Sequence, residues 1–229
     1  APGGYMMPLV ETGAAFIFVN GAQQHQDVIT LLHEGGHAMH FLQSKKIKLK
    51  EAQMGPSEIS EVASMSMELL GMEGLHHFYS GDDLIRAKKD HIERMIKLFA
   101  PIAKNDAFQH YIYTHPKLTI NEISEYWLHL DTDVFNVGID RTGFENDVKT
   151  AWHHVGHFFF APFYMLDYAI AGLGAMQVYN NYLQNRELGI EKYFNGLHYG
   201  GSRPLPELYE HFGIKFDFSY NTVKPLINS

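Results

Sequence analysis

The amino-acid sequence predicts a mainly α-helical protein with a small β element near its N-terminus. Apolar residues recur at helical spacing through most of the 229 residues. One short run, Ala14 to Val19, instead combines aromatic and β-branched residues between two glycines, which is typical of a strand. With 45% hydrophobic residues and no internal repeat or linker-like run, we expect a single domain over residues 1–229 with a sizeable core.

Capping residues, glycine and proline indicate where the helices begin and end. Asp27 is suited to cap a first helix that runs to about Gln43. Gly55-Pro56 interrupts the chain before Ser57, which can cap a second helix through Leu70. Further helices are expected at about 82–103, at 120–135 behind a capping box of Thr119 and Glu122, at 145–185, and from Ser202 to Gly213.

The charge balance excludes two classes of partner. The chain has 18 basic and 26 acidic residues and a formal charge of -8, so it has no basic field to attract nucleic acid or an anionic membrane. The most apolar stretch, Phe158 to Met176, contains Pro162 and Asp167. We therefore expect this stretch to form a buried helix and not a membrane span.

The chain contains no cysteine and 15 histidines. Disulfides, thiolate metal sites and cysteine nucleophiles are thereby excluded, and histidines and carboxylates remain as the available metal ligands. No charged segment followed by an apolar run marks a signal peptide. We expect a cytoplasmic protein.

A metal-binding pattern lies inside the first predicted helix. His33-Glu34-Gly35-Gly36-His37 matches H-E-x-x-H, in which two histidines four residues apart share one helical face and can bind one zinc ion. Glu34 then lies beside the metal as the candidate base that activates water. Each of the two glycines costs about 1 kcal/mol relative to alanine in a helix, so we expect them to permit a close approach of backbone or substrate.

The third metal ligand has to come from another part of the chain. A catalytic zinc ion usually takes three protein ligands and leaves one position for water. Gln43 stands where the extended pattern would place another histidine, so a carboxylate on the next helix is expected. The candidates share roughly one face of that helix, and each could equally lie on a solvated surface: Glu58, Glu61 and Glu68.

The segment from Asp27 to His40 resembles the metal helix of the zinc peptidase family that includes thimet oligopeptidase and oligoendopeptidase F. Glu61-Val62-Ala63-Ser64 is similar to the E-x-x-S motif that supplies that family's third ligand, so the resemblance implies His33, His37 and Glu61 as the ligands of one Zn²⁺ per chain. Glu68 then fits a partner of a zinc-bound imidazole. The implied fold is a multi-helix zincin-type catalytic domain.

Two later segments extend the resemblance. Gly156-His157-Phe158 and the segment from Phe163 to Ala169 look like the family's His and Tyr region, which binds substrate and stabilises the oxyanion. His157 and Tyr168 are implied as oxyanion donors, with Tyr164 as the alternative tyrosine. The segment from Tyr199 to Leu208 resembles the family's C-terminal Gly-Gly-Ser element.

The expected function is hydrolysis of peptide bonds in short oligopeptides by a zinc metalloendopeptidase in which Glu34 is the general base. Members of the resembled family are longer, so we expect this chain to correspond to the catalytic portion, without the N-terminal helical region. An edge of the strand over 14–19 could bind an extended peptide. The alternatives are a peptide-binding module with little or no catalysis, and a metal-dependent amidase acting on a non-peptide substrate. The sequence does not predict an oligomeric state.

Overall fold

A computed structural model describes residues 3–135 and 138–227. The described chain is mainly helical with one two-stranded sheet, which confirms the predicted fold class. The strands are β1 (Gly3–Leu9) and β2 (Ala14–Asn20). The helices are α1 (His25–Ser44), α2 (Ser57–Gly71), α3 (Gly81–Lys97), α4 (Phe99–Thr114), α5 (Ile120–His129), α6 (Glu145–Thr150), α7 (His157–Phe160), α8 (Met165–Gln184), α9 (Arg186–Leu197), α10 (Leu205–His211) and α11 (Tyr220–Ile227).

Helix α1 begins three residues earlier than the sequence predicted. Gln24 is the N-cap residue, and Asp27 is the third residue of the helix. The carboxylate of Asp27 reaches back and accepts hydrogen bonds from the backbone N–H groups of Ala22, at 2.7 Å, and Gln24, at 2.9 Å. Asp27 therefore closes a capping box instead of forming the cap itself. Pro56 likewise occupies the cap of α2, and Ser57 is its first residue.

The strand predicted at 14–19 is present as β2, but its partner β1 was missed. The two strands pair antiparallel from Gly3 opposite Asn20 to Leu9 opposite Ala14. Glycines and Pro8 within β1 obscured its pattern, since both residue types are depleted in strands. The hairpin packs on α1, with the Cα of Gly4 so close that a Cβ would lie 2.9 Å from Thr30.

The two longest predicted helices are interrupted. The segment at 82–103 divides into α3 and α4. The segment at 145–185 divides into α6, α7 and α8, and Phe163 between the last two has φ of 65°. Pro162 lacks an N–H group and cannot continue a helix, which accounts for the second break. The capping box of Thr119 and Glu122 and the helix end before Gly213, whose φ is 70°, are confirmed.

The chain forms two compact units. The first contains the described residues up to Ile92 together with those from Ile170 onward, and the second extends from Glu93 to Ala169. The core of the second unit is aromatic, with Phe108, Trp127 and Trp152 all buried. The single domain over 1–229 stays a prediction. Within the part of the chain that the structure describes, no helix is long and apolar enough to cross a membrane.

Helices α1 and α2 form the centre of the first unit and are in direct backbone contact. A Cβ added to Gly36 would lie 2.5 Å from Ser64 Cα and 2.7 Å from Ala63 O. The same Ala63 carbonyl accepts a hydrogen bond of 2.8 Å from the hydroxyl of Tyr193, which is fully buried. The close approach predicted for the two glycines is therefore present at Gly36. At Gly35 a Cβ would meet nothing within 4 Å.

This difference predicts opposite effects of the same substitution at adjacent positions. Gly36→Ala should destabilise the protein by about 1–3 kcal/mol, because the methyl group forces the two helices apart. Gly35→Ala is the matched control and should be neutral or stabilising by up to about 1 kcal/mol, because alanine is the better helix former. Urea unfolding of chelator-treated protein measures both. Equal losses of stability in the two variants would contradict the assigned contact.

Candidate metal centre

Three side chains from α1 and α2 converge on one point. The ligand atoms of His33, His37 and Glu61 all lie within 4.8 Å of one another. Glu61 Oε2 is 3.4 Å from His33 Nε2 and 3.9 Å from His37 Nε2. Tetrahedral zinc, with bonds of about 2.0–2.2 Å, separates its ligand atoms by about 3.3 Å. The three residues therefore form a group of the right size and chemistry to hold a metal ion.

Glu61 is held by the motif in which it lies. The hydroxyl of Ser64, three residues further along α2, donates to Glu61 Oε2 at 3.0 Å, and Ser64 is fully buried. Glu58, one helical turn before Glu61, is not part of the converging group. The position of Glu61 thus depends on the serine of the E-x-x-S motif as well as on the helix.

Glu68 contacts the outer side of His33. Glu68 Oε1 lies 2.6 Å from His33 Nδ1, and Glu68 Oε2 lies 3.7 Å from Nε2 of the buried His91. A proton on Nδ1 of His33, donated to Glu68, leaves the lone pair on Nε2, the atom that faces Glu61. This contact is the one expected of a carboxylate that fixes the tautomer of a metal-binding imidazole.

Burial and charge keep two of the nearby histidines neutral. Burial, with smaller contributions from His33 and His40, lowers the pKa of His37 to about 3. Burial alone lowers the pKa of His40 to about 4. Burial also disfavours the charged form of His33, but the hydrogen bond to Glu68 and the negative charges around His33 outweigh it and raise its pKa. A neutral imidazole has the lone pair that a metal ion needs.

Three carboxylates lie together with little compensation. Glu34, Glu61 and Glu68 are 7%, 6% and 8% exposed, and no Lys or Arg among the described residues pairs with them. Burial is the main cause of the raised pKa values of Glu34 and Glu61; the charge of His33 lowers both values, and the charge of Glu68 raises them further. Clustered buried carboxylates are costly unless a cation compensates them. The donor set therefore fits a divalent metal ion.

The hairpin contributes a contact that sequence reasoning missed. The backbone N–H of Met6 in β1 interacts with the Glu34 carboxylate and lowers its pKa in opposition to burial. Because β1 itself was not predicted, this partner was not predicted either. The short apolar run from Tyr5 to Met7 after two glycines was the available signal. Met6 orients Glu34 from the sheet side of α1.

The other candidate residues lie in the second unit and contact one another. The rings of His157 and Tyr164 stack with their centroids 6.0 Å apart and an angle of 4°, and Tyr164 meets Tyr168 edge-on at 5.3 Å. Tyr164 follows Phe163, whose left-handed backbone is held by a 2.8 Å hydrogen bond from its N–H to the side-chain oxygen of Gln109. A non-glycine residue in this conformation is strained, and such strain clusters at functional sites.

The fold brings the H-E-x-x-H helix against a helix whose Glu61 faces both histidines, an arrangement that is typical of metallopeptidases. The model for peptidase family M3 matches residues 1–224, and the chain belongs to this family. The resemblance to the thimet oligopeptidase and oligoendopeptidase F family is therefore confirmed.

Individual relatives agree with this membership. An oligoendopeptidase F homologue from Borreliella burgdorferi is 26% identical over 204 residues, covering 86% of this chain and 34% of the relative. The structure of PZ peptidase A with an inhibitor has a TM-score of 0.89 at 25% identity. A structure assigned as an oligoendopeptidase F has a TM-score of 0.86 at 26% identity. Each structure match covers 100% of this chain and 40% of the other. The chain thus spans between a third and two fifths of the length of these relatives.

Three glutamate variants should rank in a definite order of metal affinity. Glu61→Ala should largely abolish tight zinc binding, because it removes a ligand. Glu68→Ala should weaken binding about 10- to 100-fold, because His33 loses the partner that fixes its tautomer. Glu58→Ala, the control from the same helix, should have the mildest effect. Competition against a chromogenic chelator measures all three, and a larger loss from Glu58→Ala than from Glu61→Ala would overturn the ligand assignment.

Proposed function

We propose that this chain is the catalytic portion of a zinc metalloendopeptidase that hydrolyses peptide bonds in short oligopeptides. The observation that carries the proposal is the convergence of His33, His37 and Glu61, with Glu34 on the same helix as the two histidines. Membership of peptidase family M3 supports peptides as substrates. Zinc fits the two imidazoles and one carboxylate, which leave a further coordination position open for catalysis.

In the proposed reaction, the histidines of α1 would bind the metal and Glu34 would transfer the proton. When bound, zinc would polarise the scissile carbonyl and make water more acidic. Glu34 would accept a proton from the attacking water and return it to the leaving amine. Burial raises the pKa of Glu34 above that of an exposed glutamate, which suits a group that both accepts and releases a proton. The interaction with Met6 would keep the carboxylate in one orientation.

Stabilisation of the oxyanion is proposed for His157 and Tyr168, with Tyr164 as the alternative tyrosine. The family resemblance of their segment supports this proposal. Within the second unit, the ring contacts of Tyr164 with both His157 and Tyr168 restrict all three side chains. Donors that are held in place before the reaction stabilise developing charge without reorganisation.

An extended oligopeptide could bind along the hairpin. The described sheet has two strands, so β1 and β2 each have one edge that the other does not occupy. Binding through main-chain hydrogen bonds depends little on sequence and suits broad use of short peptides. The edge of β2 was the one expected from sequence. The structure adds β1, whose Met6 contacts the proposed base.

Glu34→Gln should separate metal binding from catalysis. The purified variant should retain about one zinc ion per chain by elemental analysis, because the ligands are intact. Its hydrolysis of quenched fluorescent peptides should fall about 10²- to 10⁴-fold, the usual contribution of a general base. Unchanged turnover would remove Glu34 from the mechanism. Turnover that a chelator does not inhibit would contradict the proposed function, as would hydrolysis confined to non-peptide amides. If the wild type binds peptides without hydrolysing them, a binding module is favoured instead.

The two tyrosines should differ in their kinetic effects. Tyr168→Phe should lower kcat about a hundredfold with little change in KM, because an oxyanion donor acts mainly in the transition state. Tyr164→Phe removes the same atom from a neighbouring ring and should do less. Steady-state kinetics on one peptide compares the variants directly. The reverse order would assign the oxyanion contact to Tyr164.

A further inference from the structure

One partly buried carboxylate in the second unit is shared by two cations. Asp131 Oδ1 accepts from Lys104 Nζ at 2.7 Å, and Asp131 Oδ2 accepts from Arg141 Nε at 3.0 Å. The side chains of Asp131, Lys104 and Arg141 are 11%, 15% and 35% exposed. Lys104 Nζ also lies 4.1 Å from the ring centroid of the buried Trp127. The group therefore has a net positive charge in a poorly solvated place.

The unused donors belong to Arg141. Its Nε faces Asp131, and its two terminal nitrogens have no hydrogen-bond or ion-pair partner among the described residues. The terminal edge of a guanidinium group matches a carboxylate in a bidentate pair. Since Arg141 contacts Asp131 only through Nε, a carboxylate that pairs with the terminal nitrogens would be a second one.

Two cavities adjoin the charged group, and they differ in polarity. The larger cavity has a volume of about 540 Å³ and is lined on one side by Lys104, Asp131 and Arg141. Lys97, which pairs with Glu93, also lines it. Its apolar wall includes Pro101 and Phe135. The smaller, about 450 Å³, also contains the carboxylates of Asp140 and Asp147, which would repel an anion. The larger cavity therefore combines excess positive charge with an apolar wall.

The backbone around Asp131 has an unusual helical geometry. Asp131 lies in a π-helical turn over Leu130–Val134, which is closed by a 2.9 Å hydrogen bond from Phe135 N to Leu130 O. Such turns are rare and often occur at functional sites. The turn places Asp131 between the two cations and Phe135 at the apolar wall.

We propose that the larger cavity is a binding site for an organic carboxylate with an apolar body. The carboxylate pairs with the terminal nitrogens of Arg141 and with Lys104, and the apolar body packs on Pro101 and Phe135. Burial raises the pKa of Asp131, but the hydrogen bonds and charges of Lys104 and Arg141 outweigh burial and lower it. The ionised Asp131 therefore neutralises one of the two cations, and one positive charge is left for a ligand. A ligand of this chemistry is either the C-terminus of a peptide or a small free acid. The site lies in the second unit and does not depend on the metal centre.

Fluorescence titration with dansyl-leucine, with its neutral amide as the matched probe, tests the site. The acid should bind at least about tenfold more tightly than the amide, because a charge-assisted hydrogen bond is lost. Arg141→Met should remove this preference, whereas Arg94→Met, an exposed arginine of the same unit, should not. Ala100→Glu should weaken binding of the acid relative to Ala100→Gln, because Ala100 lines the cavity and only the former adds a negative charge. Circular dichroism confirms that each variant is folded.

Two further measurements identify the source of the carboxylate and test whether binding depends on the metal centre. Acid binding should persist in chelator-treated protein and in His33→Ala, whatever the outcome of the hydrolysis assays. Competition by acetyl-Ala-Ala-Leu with a free C-terminus, but not by benzoate, supports a peptide ligand, and the reverse supports a small acid. Equal affinity for acid and amide, equal effects of Arg141→Met and Arg94→Met, or loss of binding in His33→Ala would overturn the proposal.

Discussion

The backbone contact between α1 and α2 at Gly36 is the constraint on which the proposed metal centre depends. A Cβ at this position would overlap Ser64 Cα, so only glycine allows the two helix axes to approach this closely. The distance from Glu61 to both histidines follows from that approach, since the histidines lie on one helix and the glutamate on the other. Gly36 lies immediately before His37, so the glycine that allows the contact also places a proposed ligand beside it.

The two proposed sites both rest on incompletely compensated charge that is buried or partly buried, with opposite signs. Glu34, Glu61 and Glu68 form a negative group that favours a metal cation. Lys104 and Arg141 share one carboxylate and leave a positive group that favours an anion. Burial strengthens both effects, because charges in a poorly solvated place are weakly screened. A buried group of one sign is costly for folding alone, which is why such groups point to ligands.

Further contacts in the first unit restrain the side chains of the proposed metal centre. Ser64 donates a hydrogen bond to Glu61, and Glu68 accepts one from His33. The backbone N–H of Met6 interacts with Glu34. Each of these partners comes from a different position of the chain, and each restrains one functional side chain. Glu68 in turn lies beside the buried His91 of α3, so the ordering extends from the hairpin to the third helix.

Much of the centre was determined by local sequence, because helical periodicity is a local property. Spacings of four residues in α1 and three in α2 placed His33 with His37 and Glu61 with Ser64. The two glycines also predicted a close approach of another part of the molecule to α1, although the local pattern could not distinguish Gly35 from Gly36. Whether Glu58, Glu61 or Glu68 faced the histidines depended on how the two helices cross, which the residues alone left open until the family resemblance favoured Glu61.

The tertiary structure decided what depends on residues far apart in the chain. Strand β1 was concealed by Gly3, Gly4 and Pro8, and its stability comes from pairing with β2 and packing on α1. The contact of Met6 with Glu34 followed from that pairing. The charged group around Asp131 joins α4, a π-helical turn and the segment near Arg141, over separations of 27 and 10 residues. No helical or strand periodicity relates such residues, because their proximity results from packing and not from local backbone geometry.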